Sequence, residues 1–427
     1  MLSRRGKKNV DELGIPWRFA SGTTYDPKTN PRGIISFATA ENALIQGELE
    51  DFANNRVHIP GAAFAYKYST SGGGPKFPSA LAGLLNDHFQ PYKPLTGDDI
   101  KATSAATALH EILAFSLAEA GEGILVSRPY YGRFELDFGN KAELKVVAAD
   151  TYAETCFQPD VVDAYEKALL ESNESGVPIR ALLIVNPHNP LGRCYPRDTL
   201  VGLMKLCQKH QIHFISDEVY GLSVFDSGEP NAVPFTSVLS IDPEGIIDKD
   251  LLHVTYAMSK DFGAAGLRIG ALITKNEELK NSLIATIRFH STSGPSIAIA
   301  TAMLEDREWT KSFIATSRER LAETYKYVTN RFRTLQVDYL TGSNACFFIW
   351  VNLSPYLAAQ SEELTDKLRE QALAQKFLDA GVFLQPGEEH SLAPGWFRIV
   401  YSAADRTVLD EGLRRFEAVI KNIKQTS

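Results

Sequence analysis

Residues 213–220 read HFISDEVY and residues 251–260 read LLHVTYAMSK, two apolar runs that close on Asp217 and Lys260. Runs of the same kind surround them: GILVS at 123–127, LKVVAA at 144–149, ALLIVN at 181–186 and GALIT at 270–274. Several are β-branched and uninterrupted, as strands buried on both faces of a parallel sheet are. Helical stretches stand between them, at 106–120 (ending at Gly121), 159–171 and 198–210. Alternating strands and helices predict an α/β fold with a mostly parallel central sheet between helices. Ligands in such sheets sit beyond the carboxyl ends of the strands.

Upstream, GGGPKF at 72–77 is a glycine-rich turn leading into a helix over 78–89. The first 30 residues are polar and rich in turn formers, and read as an arm. Downstream, a long helix begins near Ser312, followed by the strand-like NACFFIWVNL (344–353) and WFRIVYS (396–402). This end reads as a smaller α+β domain that packs with residues 30–60. The expected division is 1–60 for the arm and part of the small domain, 61–310 for a large cofactor-binding domain, and 311–427 for the C-terminal small domain.

Of the 427 residues, 44% are hydrophobic and 22% charged, enough to build a large core. The net charge of −8 carries no basic footprint for nucleic acid. Cys156, Cys194, Cys207 and Cys346 are far apart, so neither a disulfide framework nor a metal site is expected. His110-Glu111 lacks the second histidine of a zinc-protease motif, and His210 and His213 lead into a strand. No apolar h-region follows the basic start MLSRRGKK, and no apolar run is long enough to span a bilayer. The expected location is the cytoplasm, with no membrane and no nucleic-acid partner.

The chemistry lies at the strand ends. Asp217 and Tyr220 follow one strand, Ser259, Lys260 and Arg268 another, and Asn186 and Asn189 a third. Each alone is ordinary: a solvated lysine, an N-cap aspartate, a turn asparagine. Together they supply what pyridoxal 5'-phosphate requires. A lysine of lowered pKa forms the Schiff base. A carboxylate, Asp217, keeps the ring nitrogen protonated. Asn189 and Tyr220 suit the ring oxygen. Arg268 and the helix-opening SAATA (104–108) suit the phosphate.

With these motifs in this order, the sequence resembles the class I/II aminotransferase family of fold-type I enzymes, and within it the 1-aminocyclopropane-1-carboxylate synthase-like branch. The resemblance runs from NPRGIISFATAEN (30–42) through SAATALHE, RPYYGRF, NPHNPLGR, SDEVY and MSKDFGAAGLRIG to PGWFRIVYS (394–402). It implies that Lys260 is the Schiff-base lysine, Asp217 the ring-nitrogen partner, and Tyr220 and Asn189 the ring-oxygen ligands. Tyr131 would stack on the ring, with Tyr130 as rival. Ala106, Thr107, Ser259 and Arg268 would hold the phosphate. Arg398 would grip the substrate carboxylate, and Glu41 would stand near the substrate. The resemblance also implies a homodimer in which Tyr68, or Tyr66, reaches the neighbouring site.

In two respects the chain departs from the family pattern: the segment YKYSTSGGGPKF (66–77), which carries Tyr66 and Tyr68, is longer than in the plant synthases, and a phosphate-binding hydroxyl is missing. Ala257 stands where a phosphate-binding serine is usual, leaving Ser259 or Thr255 to compensate. The implied substrate is an α-amino acid, S-adenosylmethionine in a synthase-type cyclisation. The alternatives are an aminotransferase, a C–S lyase of secondary metabolism, or a non-catalytic cofactor-binding homologue.

Overall fold

The computed structural model describes residues 1–17, 22–359, 364–387 and 389–426. Its strands are β1 (Ile35–Ser36), β2 (Ile100–Thr103), β3 (Gly123–Val126), β4 (Lys145–Ala148), β5 (Ile179–Val185) and β6 (His213–Asp217). There follow β7 (Leu252–Ala257), β8 (Gly270–Thr274), β9 (Phe348–Asn352), β10 (Val382–Phe383) and β11 (Trp396–Val400). Among the described residues, seven form the central sheet in the order β2-β8-β7-β6-β5-β3-β4. The fold is the expected α/β type with a mostly parallel sheet.

Alternation along the strands divides the core between the two sheet faces. Ala181, Leu183 and Val185 join one apolar cluster, with Leu109, Ile112 and Leu113 of the helix Ala105–Leu117. Leu182 and Ile184 join the other, with Leu200, Leu203 and Met204 of the helix Arg197–His210. Successive strand side chains point to opposite faces, so an uninterrupted apolar run buries both.

GALIT differs from expectation in direction. As β8 it runs antiparallel to both β7 and β2. The β7–β8 link, residues 258–269, carries only two short helical turns. A parallel return needs a full crossover, usually a helix. This reversal brings three segments to one edge: the end of β7 with Lys260, the start of β8 just after Arg268, and the end of β2 before Ser104. The ends of β5 and β6 lie there too, with Val185 opposite Asp217 and Asp217 opposite Thr255.

Outside this sheet, β1 pairs parallel with β10 and β9 antiparallel with β11, where Arg398 lies opposite Trp350. Val400 N–H donates to the Phe37 carbonyl at 2.9 Å, joining the two pairs. The long helix runs Arg307–Leu335, earlier than Ser312, because the Asp306 side chain caps it through Trp309 N–H. The expected arm contains a helix, Arg4–Leu13, capped by Ser3 and with no buried residue.

The C-terminal core rests on stacked rings. Phe377 and Phe416 are fully buried, with centroids 4.8 Å apart. Phe377→Ala should destabilise the protein by about 3–5 kcal/mol in urea unfolding. A loss below about 1 kcal/mol would contradict this packing role.

Candidate active site

At the shared edge lies a cavity of about 710 Å³. Its walls include Ala106, Thr107, Tyr131, Asn189, Asp217, Tyr220, Ser259, Lys260, Arg268, Arg398 and Glu41. The structure thus brings together every site residue expected from the sequence except Tyr68. Tyr68 is half-buried outside the cavity of its own chain, its ring against the Gly72–Gly74 turn, whereas Tyr66 is 70% exposed.

Lys260 sits in the short helical turn that follows β7, and its Nζ donates to the Ala40 carbonyl at 2.7 Å. Desolvation lowers its amine to about 8, helped by the charges of Arg398 and Arg268. Glu41 and Asp217 pull the other way. The next residue anchors this turn. Buried Asp261 accepts from Leu222 N–H (2.9 Å), Ser223 Oγ (2.6 Å) and Tyr256 OH (3.2 Å).

Asp217 ends β6. Its Oδ1 accepts from Thr255 Oγ1, its cross-strand neighbour, at 3.1 Å. That bond corrects one expectation: the Thr255 hydroxyl serves Asp217 and does not replace the missing serine at Ala257. Ser259 does line the cavity. Burial pushes the Tyr220 hydroxyl well above its ordinary value, so it stays protonated and can donate.

The anion corner is made of backbone. Ala105 has φ +70° and Arg268 φ +49°, left-handed conformations that are costly for residues with side chains. They frame the first turn of the helix Ala105–Leu117, whose N–H groups at Ala106 and Thr107 favour an anion. A Cβ on Gly270 would come within 2.8 Å of the Ala105 carbonyl carbon, so this corner needs glycine behind it.

Four residues escaped the sequence reading. His110, considered there only as a metal ligand, is buried between two carboxylates. Its Nδ1 lies 2.9 Å from Asp137 Oδ2, and its Nε2 lies 3.6 Å from Asp217 Oδ2, a charge contact rather than a hydrogen bond. Its position three residues after Thr107, on the same helix face, was the available signal. Arg133 and Gln385 line the cavity. Glu389 pairs with Arg398. Elsewhere His210 contacts Glu166 and His213 contacts His253.

These residues fit pyridoxal phosphate on this structure's own terms. There is a desolvated lysine, a carboxylate at the same edge, and a helix N-terminus with an arginine. His110 Nε2 is also a buried nitrogen without a hydrogen-bond partner, aimed at the carboxylate that would meet the ring.

Burial alone would discharge His110, but Asp137 and Asp217 outweigh it and raise it to about 9. A histidine whose folded pKa is raised stabilises the fold below about 6.5, and this contribution disappears as pH rises through about 9. His110→Phe should therefore cost up to about 3 kcal/mol more at pH 6 than at pH 9.5 in urea unfolding. Equal losses at both pH values would refute the imidazolium.

A family model described as aminotransferase class I and II matches residues 63–416. The chain is 33% identical over 428 residues to the probable aminotransferase aclI of Aspergillus oryzae, covering 98% of each. It is 32% identical over 415 residues to 1-aminocyclopropane-1-carboxylate synthase-like protein 1 of Homo sapiens, covering 94% of this chain and 79% of that one. An aromatic aminotransferase from Pyrococcus horikoshii OT3 shares the fold, with a TM-score of 0.75 at 20% identity over 97% and 99% of the two chains. No helix among the described residues is long and apolar enough to cross a membrane. The chain belongs to the aminotransferase class I and II family, pyridoxal phosphate-dependent enzymes of fold type I.

Proposed function

We propose that this enzyme binds pyridoxal 5'-phosphate covalently through Lys260 and removes the α-proton of an amino acid. One observation carries the reading: a single cavity gathers the desolvated Lys260 with Asp217, Arg268 and Arg398. Arg268, Ser259 and the N–H groups of Ala106 and Thr107 hold the phosphate. Tyr131 would hold the ring from one side, Asn189 and Tyr220 would donate to its oxygen, and Asp217 would keep its nitrogen protonated. When bound, the cofactor supplies an electron sink for the pair left at the α-carbon.

The remaining chemistry belongs to the side chains. Arg398 grips the substrate carboxylate with its planar fork and fixes which α-bond faces the ring. The Lys260 amine, neutral above about pH 8, takes the α-proton as general base. Tyr220 stays protonated because it is buried, and so remains a donor throughout.

For the fate of the substrate, we favour loss of a sulfur leaving group. The archetype is the cyclisation of S-adenosylmethionine to 1-aminocyclopropane-1-carboxylate, with C–S cleavage as its relative. Glu41 supports this, as an exposed carboxylate in the cavity wall that suits a sulfonium cation. The second reading is amino transfer, supported by the relative named a probable aminotransferase. A second copy of the chain completes the site, consistent with the exposed rings of Phe64 and Tyr66 beside Tyr68. A cytoplasmic location fits this reading.

Mixing the holoenzyme with S-adenosylmethionine should release methylthioadenosine and a cyclopropane amino acid. Formation of pyridoxamine phosphate from an ordinary amino acid, reversed by a keto acid, would instead establish amino transfer. Lys260→Ala should lose the visible absorbance of covalently held cofactor; if the absorbance persists, the assignment of Lys260 is wrong.

The rate at which the cofactor-free protein captures pyridoxal phosphate should rise with pH to a plateau, with its midpoint near 8. Glu41→Gln should move that midpoint down and Arg398→Leu should move it up. A midpoint near the ordinary lysine value would mean that Lys260 is not desolvated.

A further inference from the structure

Arg398 carries its own counter-ion. Glu389 Oε1 stands 3.2 Å from Arg398 Nε, and the side chains are 3% and 6% exposed. The other guanidinium contacts are hydrogen bonds: Nη1 donates to Asn189 Oδ1 at 2.8 Å and Nη2 to the Ala38 carbonyl at 3.0 Å. The Phe348 ring lies 5.4 Å from the guanidinium carbon. Nε makes no aligned hydrogen bond, so Glu389 acts on it by charge.

The segment bearing Glu389 is fixed from outside the arginine. Tyr130 N–H donates to the Glu389 carbonyl at 3.0 Å, and the His390 ring stacks on Tyr130 at 4.7 Å. The backbone that carries Glu389 is therefore held by the turn that also carries Tyr131. Glu389 does not line the cavity, so it reaches a substrate only through Arg398.

We infer that Glu389 is a positioning residue that sets how tightly Arg398 holds a carboxylate. Resting on the proposed role of Arg398, this adds a restraint to it. A buried guanidinium without a counter-ion is strongly disfavoured, and Glu389 supplies one while the cavity is empty. When a substrate carboxylate arrives, the two anions share one cation. Repulsion between them weakens binding, so the site selects substrates that add contacts elsewhere and releases products that do not. Anions compete little for the Arg398 fork.

The test uses the holoenzyme with propionate, a carboxylate without an amine, and propionamide, its uncharged isostere, in titration calorimetry. Glu389→Gln should tighten propionate by about tenfold or more, because it removes a like charge within a few ångströms. Propionamide binding should not change. Glu389→Asp, which draws the charge back, should fall between wild type and Glu389→Gln; it also carries the test alone if the glutamine variant does not fold. KM for an amino acid should fall in parallel. If propionate binds Glu389→Gln no better than wild type, or if propionamide tightens equally, the inference is overturned. Arg398→Leu separates the two claims: if it still binds propionate like wild type, the role of Arg398 itself is wrong, whatever Glu389 does.

Discussion

Everything at this site depends on keeping the amine of Lys260 out of water. Desolvation is the first cause of its lowered pKa, and desolvation is a property of place. The place is an edge where β7 ends, β8 begins after a short link, and β2, β5 and β6 also terminate. Because β8 turns back, Arg268, two residues before its start, shares the lysine's edge. Had the link been a full crossover, that arginine would lie at the far side of the sheet.

The same low-polarity setting forces charges to come with partners. An isolated buried charge is too costly to keep, whereas a paired one can be kept for function. His110 between Asp137 and Asp217 is one such group, and Arg398 with Glu389 and Asn189 is another. Glu218 and Asp261 follow Asp217 and Lys260 directly in sequence. Both are buried, and burial raises both carboxyls to about 7. Glu218 accepts from Ser216 Oγ and Val238 N–H at 2.9 Å, and Asp261 ties down Leu222 and Ser223. Asp217 and Lys260 are thus each followed by a buried carboxyl group that pins the adjoining loop.

The fold was legible because its signals are local. Uninterrupted apolar runs marked the strands, and the residues at their ends marked the cavity wall. What stayed hidden was set by partners distant in sequence. The role of His110 depends on Asp137, 27 residues away. Thr255 looked available for phosphate until the register placed it opposite Asp217. The direction of β8 depended on what the β7–β8 link could accommodate, which strand composition does not report. The first helix was missed because it buries nothing and its signal is a single Ser3 cap.

Membership of the family fixes the type of enzyme, while its relatives bear names from more than one reaction. Both readings proposed for this chain begin with the same step, removal of the α-proton, which we assign to Lys260. The most direct measurement is proton NMR of amino acids incubated with the holoenzyme in heavy water, across a panel that includes S-adenosylmethionine. Removal of the α-proton by Lys260 predicts that the α-proton signal of at least one amino acid disappears by exchange, and persists with Lys260→Ala. A holoenzyme that binds these amino acids yet exchanges none of their α-protons would contradict it.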